Sequence, residues 1–203
     1  VGYYTSHGTV WWSWTAPEDG RYAAVASATN TVTVGIYTGS DISGLSLVAF
    51  SQASHGALID GEFRYCRQVE WNPTAGATYH LCVDGYQSTY DVGLSITLPP
   101  QVEFTSPSDG SVFATPVGIP VAAEPQDPDG TIQRLDFYEI HTAPGSGWSV
   151  PIGTCTSSPW ALIWDDGSTG NYPVGVRAID NLGAQVTSSN RVWIGVMRPA
   201  NDD

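Results

Sequence analysis

The sequence predicts an all-β chain made of two tandem β-sandwich domains, and three observations carry this prediction. Short runs that alternate apolar and polar residues recur along the 203 residues and are rich in Val, Thr, Tyr and Trp. Turn-forming residues separate these runs, with 22 Gly and 14 Pro in the whole chain. Helical periodicity is almost absent. A composition that is 41% hydrophobic is typical of a folded protein.

The strand-like runs fall into two sets on either side of a Pro-Pro pair. The first set is TVWWSWTA, GRYAAVASA, TVTVGIYTG, LSLVAFS, EFRYCRQVEW, ATYHLCVDGY and YDVGLSITL. Neither proline has an amide donor, so a strand cannot continue through the pair. We therefore expect a first domain at 1–98, a linker at 99–100, a second domain at 101–197, and a connecting strand or the start of a next unit at 198–203.

The second half predicts an immunoglobulin-like sandwich. It contains seven strand-like runs, with a turn signal about every 8 to 12 residues, which is the spacing of that fold. Alternation predicts Leu135 and Phe137 on one face and Val174, Val176 and Ala178 on another, as the core between two sheets requires.

Both halves resemble known bacterial domain families. TVWWSWTAPEDGRY, IYTGSDISGLSLVA and WNPTAGATYHLCVDGY resemble the pre-peptidase C-terminal type of β-sandwich, in the same order. VEFTSPSDGSVF, DPDGTIQRLDFYE, PIGTCTSSPWALIWD, GNYPVGVRAIDNLGA and RVWIGV resemble bacterial Ig-like repeats. Both families are mainly non-catalytic modules, so the resemblance implies a secreted or cell-surface bacterial protein that is not an enzyme.

The resemblance also predicts how copies of the unit join. Domains of the first type usually open well upstream of VWW, with a phrase close to ANDD, and this sequence has RPANDD at its other end. The first domain would then lack its opening strand, and a neighbouring copy or repeat would complete the unpaired sheet edge. The residues expected at this joint are Val1, Gly2, Tyr3, Tyr4, Arg198, Pro199, Ala200, Asn201, Asp202 and Asp203.

Charge and hydropathy exclude two classes of partner. The chain has seven basic residues, all Arg, against 20 acidic ones, which gives a formal net charge of -13. Such a surface repels phosphate backbones and anionic lipid, so we expect no nucleic-acid binding. No apolar run approaches the roughly 20 residues that span a bilayer, so we expect no membrane insertion.

The cysteine spacing predicts one disulfide. The loop NPTAG separates the runs that carry Cys66 and Cys82, and a hairpin in which residue 72 faces residue 76 would set these cysteines opposite each other. The alternative is two small buried thiols. A disulfide would place the protein outside the cytoplasm. Cys155 is left over, either as a lone strand residue or as an intermolecular link.

No sequence pattern points to catalysis. GxSxG, HExxH, P-loop and GxGxxG motifs are all missing. The four histidines, at positions 7, 55, 80 and 141, are scattered, and we expect each on the surface or in a loop. The acidic pairs at 18–19 and 165–166 sit in turn-like contexts, where carboxylates stabilise turns.

Two ligand types remain as weaker expectations. Asp127 and Asp129 of DPDG, with Asp180, could supply some of the six to eight oxygens that Ca²⁺ takes, or could simply stabilise turns. No cofactor is required, and Ca²⁺ is the one candidate. In VWWSWTA, Val10, Trp12 and Trp14 share one face and Trp11 alone lies on the other, so Trp11 is the candidate glycan contact.

The hypothesis favoured by these patterns is a structural or adhesive extracellular protein, a repeat unit or subunit of a surface stalk or filament joined head to tail. Its partners would be copies of itself or adjacent repeats of the same polypeptide. The alternatives are an accessory carbohydrate- or surface-binding module of a secreted enzyme, and a linker stiffened by Ca²⁺.

Overall fold

A computed structural model describes residues 8–51, 54–85, 91–115, 118–140, 149–165 and 168–198. The described chain is almost entirely strands and loops, with a short 3-10 helix at Ile42–Gly44, so the all-β prediction is confirmed. It forms two compact units that divide between Pro99 and Pro100. The short segments 128–130 and 181–184 group with the first unit. Among these residues no helix is both long and apolar enough to cross a membrane.

The first unit is a sandwich of two antiparallel four-stranded sheets. One sheet has the order β1-β7-β3-β4 and the other β5-β6-β2-β8. The strands are β1 Thr9–Thr15, β2 Tyr22–Ala28, β3 Val32–Thr38, β4 Ser46–Phe50, β5 Ser54–Ile59, β6 Glu62–Trp71, β7 Thr78–Gly85 and β8 Val92–Thr97.

The core of the first sandwich lies between these two sheets. Strand alternation turns the even positions of β2 inward, so that Ala24 and Ala26 pack in the same core as Val34 and Leu81. Trp12 and Trp14, which were predicted to share one face of β1, both pack against this core, although Val10 is 46% exposed.

The second unit is a sandwich of a larger and a smaller sheet. The larger has the order β10-β17-β15-β12-β13, with β16 also paired to β15, and the smaller has the order β14-β11-β9. The strands are β9 Gln101–Ser106, β10 Ser111–Ala114, β11 Ile119–Gln126, β12 Ile132–Ile140, β13 Ser149–Cys155, β14 Ala161–Trp164, β15 Gly170–Asp180, β16 Gln185–Thr187 and β17 Val192–Met197. This arrangement confirms the Ig-like prediction for the second domain.

One core assignment in the second sandwich is wrong. β12 and β15 are neighbours in one sheet, with Leu135 opposite Ala178 and Phe137 opposite Val176, and do not face each other across the core. The opposing sheet supplies Phe104, whose ring meets that of Phe137 at 80° with centroids 6.0 Å apart. Alternation correctly identified the buried positions, but it carries no information about which strands share a sheet.

The predicted Cys66–Cys82 disulfide is also wrong, since all three cysteines are free and buried. β6 and β7 belong to different sheets, because the loop after Trp71 crosses from one sheet to the other and does not close a hairpin. Cys66 therefore pairs across its sheet with Ser27 and His55, and Cys82 with Trp11 and Gly35.

Strand alternation places the two thiols on opposite outer sides of the sandwich. Val69 and Trp71 point into the core, so Cys66 points outward. There the Cys66 Sγ packs against Gly183, since a Cβ added to that glycine would lie 3.2 Å from the sulfur. Leu81 and Val83 likewise point inward, which turns Cys82 to the outer side of the other sheet.

Cys155 lies in the core of the second sandwich at the end of β13. Its Sγ donates to the carbonyl oxygen of Ala161 at 3.4 Å. Of the two open readings, the structure therefore favours a lone strand residue, because a buried thiol is not available for an intermolecular link.

Candidate functional site

The outer surface of sheet β1-β7-β3-β4 carries a cluster of exposed large side chains. The register sets Trp11, Cys82, Gly35 and Phe50 in one row across the four strands. The next row contains Ser13, His80, Tyr37 and Leu47. Trp11, Leu47 and Phe50 are exposed and Tyr37 is partly buried, and we call the surface formed by these four residues the aromatic face.

Two rings from different strands meet on the aromatic face. The centroids of Trp11 and Tyr37 are 5.4 Å apart and their planes are inclined by 47°. Trp11 is 42% exposed and Phe50, in the same row, is 49% exposed. Trp11 is therefore not an isolated ring, as the sequence of β1 alone indicated, because β3 brings Tyr37 into contact with it and β4 adds Phe50 at the far end of its row.

Glycine at position 35 allows the ring of Tyr37 to lie close to the sheet. A Cβ at Gly35 would stand 3.0 Å from Tyr37 Cε2 and 3.1 Å from its hydroxyl oxygen. Contacts this short would push the ring outward. Glycine therefore lets the phenol extend along β3 toward the row of Trp11.

Cys82 lies on β7, the strand between those that carry the two rings, directly opposite Trp11 on one side and Gly35 on the other. Only 9% of it is exposed. Burial, followed by the charge of Asp84, raises the pKa of the Cys82 thiol from 9.0 to about 11. Burial, together with Cys82 and Asp84, also raises the pKa of the Tyr37 phenol. The aromatic face therefore covers a thiol that stays protonated at neutral pH.

Hydrogen-bonding groups border the aromatic face along the second row. The His80 ring lies between the Ser13 hydroxyl, which is 3.0 Å from Nδ1, and the carbonyl oxygen of Gly39, which is 3.0 Å from Nε2. A carbonyl can only accept, so Nε2 donates to Gly39 and Nδ1 of the neutral ring accepts from Ser13. His80 is thus fixed at the border of the face.

A capped turn positions the loop that contains Gly39. The Asp41 carboxylate accepts from the Ser43 hydroxyl and from the backbone N–H groups of Ser43 at 3.0 Å and Gly44 at 3.1 Å. These bonds, that of the Ser43 hydroxyl first, lower the pKa of Asp41. Gly39 has a φ of +140°, and a Cβ there would meet the Gly44 carbonyl oxygen at 2.6 Å, so only glycine fits.

The three predicted calcium ligands lie in different surroundings within the described residues. No group of three or more His, Cys, Asp or Glu side chains suited to a metal occurs there. Asp129 instead accepts hydrogen bonds from the Thr97 hydroxyl at 2.9 Å and from the Leu98 N–H at 3.0 Å. Asp127 is partly buried and Asp180 is almost fully buried at the end of β15. Calcium binding stays a prediction, which a chelator-reversible rise in melting temperature would test.

The other predicted positions are spread over the molecule. Arg198 is exposed just after β17, and the rest of the predicted joint lies outside the described residues, namely Val1, Gly2, Tyr3, Tyr4, Pro199, Ala200, Asn201, Asp202 and Asp203. His55 and His80 lie in strands, and His55 Nε2 is 2.7 Å from the carbonyl oxygen of Gly183. The histidines at 7 and 141 fall outside the described residues.

Comparison with known proteins identifies one domain type. Residues 100–176 match the family model described as the bacterial Ig domain, which accounts for most of the second sandwich. No curated protein matches the chain. Among solved structures, the chain is similar to fibronectin(III)-like modules of Clostridium thermocellum CbhA, at 19% identity and a TM-score of 0.41 over 49% of this chain and 99% of that one.

Proposed function

We propose that this chain is a non-catalytic, extracellular structural or adhesive protein, a repeat unit or subunit of a bacterial surface stalk or filament. The observation that carries the proposal is the tandem of two β-sandwiches, each with its own buried core, of which the second matches the bacterial Ig domain. Bacterial Ig domains are typical of extracellular and surface proteins. The pre-peptidase C-terminal type for the first sandwich belongs to the same proposal, and the three sequence blocks in residues 9–86 support it.

Strand addition at an open sheet edge would join the units head to tail. β1 pairs with β7 on one side, and no described strand pairs with its other side. The apolar side chain of Val10 in this strand is 46% exposed. An edge of this kind offers backbone N–H and C=O groups to a strand from a neighbouring copy.

The test measures assembly of the whole chain in solution. We expect association that increases with protein concentration, seen by analytical ultracentrifugation and as short filaments by electron microscopy. Val10→Lys should shift the protein toward monomer, because a Lys on an edge strand opposes edge-to-edge pairing. The matched control is Met197→Lys, at a side chain that is 58% exposed on β17, a strand with a neighbour on each side.

The control should associate as the wild type does. A wild-type protein that stays strictly monomeric at all concentrations, with both domains resistant to proteolysis, would contradict assembly. Equal loss of association in the two Lys variants would show that general surface hydrophobicity, and not the β1 edge, drives the contact.

The second candidate function is an accessory carbohydrate-binding module of a secreted enzyme. The contact of Trp11 with Tyr37 on an outward-facing sheet surface favours it, because exposed apolar patches mark interaction and ligand-binding sites. This function does not require assembly, so the two candidates are tested separately.

A further inference from the structure

We infer that the aromatic face binds a neutral polysaccharide chain that runs across strands β1, β7, β3 and β4. The inference rests on the second proposed function and names the class of ligand and the residues that would hold it. It combines three features of the face, which are its exposed rings, its extent across the sheet and its charge.

The exposed rings provide the stacking surface. Trp11 and Tyr37 come from strands separated by β7, and the two tilted rings meet on the outer side of the sheet, with Trp11 the more exposed of the two. Pyranose rings with equatorial hydroxyl groups have flat C–H faces, which pack on aromatic rings while the hydroxyls stay in the plane of the sugar and reach polar groups at its edge. Rings held by their neighbours bind at a lower entropic cost than mobile ones.

The extent of the aromatic face suits a chain. Trp11 and Phe50 occupy the two ends of a row that crosses four strands. Three steps between neighbouring strands correspond to about 14 Å. Phe50 would contact a second sugar beyond the one stacked on Trp11 and Tyr37, so a longer oligosaccharide should bind more tightly than a disaccharide.

The charge of the face selects a neutral ligand. None of the seven Arg residues lies in β1, β3, β4 or β7, and the chain has no Lys. Asp84 follows Cys82 on the same outer side of β7, at the border of the face opposite His80. A uronate or sulfated chain would therefore meet negative charge with no cation to offset it.

The test is calorimetric titration of the full chain with hexasaccharides and disaccharides of the neutral β-1,4-linked series, glucose, xylose and mannose, and with hexagalacturonate. We expect saturable binding to at least one neutral hexasaccharide and none to hexagalacturonate. Trp11→Ala and Tyr37→Ala should each weaken binding about tenfold or more, and Phe50→Ala should weaken it for the hexasaccharide more than for the disaccharide.

Trp193→Ala is the matched control, since Trp193 is a tryptophan of similar exposure, 49% against 42% for Trp11, in the second domain. It should bind as the wild type does. The inference is overturned if no neutral hexasaccharide binds, if hexagalacturonate binds as well, if Trp193→Ala costs as much as Trp11→Ala, or if the face proves to bind a protein partner instead. Trp11→Ala leaves the backbone edge of β1 intact, so loss of sugar binding with association preserved would leave the assembly proposal standing.

Discussion

The indole rings of Trp14 and Trp71 meet edge to face across the core of the first sandwich, with centroids 5.5 Å apart and planes inclined by 75°. Trp14 belongs to β1 in one sheet and Trp71 ends β6 in the other. Tyr22 and Tyr79 also pack against both rings. This cluster joins the two sheets at one end of the core, so its loss should weaken the whole domain.

Removing the Trp71 ring should destabilise the protein strongly. Trp71 is buried, and truncating a buried tryptophan costs about 3 to 5 kcal/mol through lost burial and the cavity left behind. We therefore expect Trp71→Ala to lower the free energy of unfolding by about that amount, measured by urea denaturation followed by circular dichroism. The control Trp193→Ala removes a half-exposed ring and should change stability by about 0.5 kcal/mol or less. Similar losses in both variants would contradict the assigned core.

All three cysteines should be present as thiols. Denatured without reductant, the chain should react with DTNB at three thiols per molecule, because the structure separates Cys66 and Cys82 on opposite sides of the sandwich. The folded protein should react slowly at pH 8, since all three thiols are buried. A count of one thiol would restore the Cys66–Cys82 disulfide and contradict the strand assignment of β6 and β7.

The ring of Trp11 should protect Cys82. In Trp11→Ala the thiol loses cover, so its reaction with iodoacetamide at pH 8 should become faster than in the wild type, and mass spectrometry of peptides would locate the label. The labelling of Cys155, in the second sandwich, serves as the internal control and should not change. Faster labelling of both cysteines would indicate general loosening and not local uncovering.

Stability should fall at alkaline pH because of Cys82. The pKa of its thiol rises from the reference value of 9.0, which applies to the unfolded chain, to about 11 in the folded protein. Between pH 9 and pH 11 the folded state therefore holds the proton more tightly than the unfolded chain does. The stabilisation is complete below pH 9 and is lost as the pH rises toward 11. Urea midpoints at pH 8 and pH 11 should therefore differ less in Cys82→Ala than in the wild type. Burial, the largest cause of the raised pKa of Tyr37, remains in Cys82→Ala, although the contribution of Cys82 is lost. An equal drop in both proteins would assign the effect to groups other than Cys82.

The sequence predicted strand positions better than strand partners. Periods of two residues reveal which positions are buried, and they identified Leu135, Phe137 and Val174 correctly. They missed β5, although Asp60 and Gly61 connect it to β6 with φ angles of 53° and 82°. Asp-Gly between apolar runs is the strongest short-range hairpin signal, and it was present in the sequence. The NPTAG loop had the length of a hairpin loop but crosses between sheets, which no local signal distinguishes.

The candidate site was predicted only in part for a related reason. Trp11 was identified because alternation within β1 turns it away from Trp12 and Trp14. Tyr37 and Phe50 come from strands that the sheet order places on the same face as Trp11, and this order depends on long-range pairing. The sequence could have suggested Tyr37 from the glycine two residues earlier, since glycine inside a strand often marks a close approach of another group.

A charged cluster in the second sandwich should contribute measurable stability. Asp136 lies on β12 directly between Thr154 on β13 and Arg177 on β15, and its carboxylate accepts from both, at 2.9 Å and 3.1 Å. Arg134 adds a third bond at 3.3 Å. Because the carboxylate is mostly shielded from water, Asp136→Asn should lower the free energy of unfolding by about 1 to 2 kcal/mol, and less in high salt, where charges are screened.

The matched control is Glu70→Gln, which removes an ion pair with the more exposed Arg21 and should cost about 0.5 kcal/mol or less. Urea denaturation at low and high salt measures both, and an equal cost for the two variants would show that the position of Asp136 between two strands adds nothing to an ordinary surface ion pair.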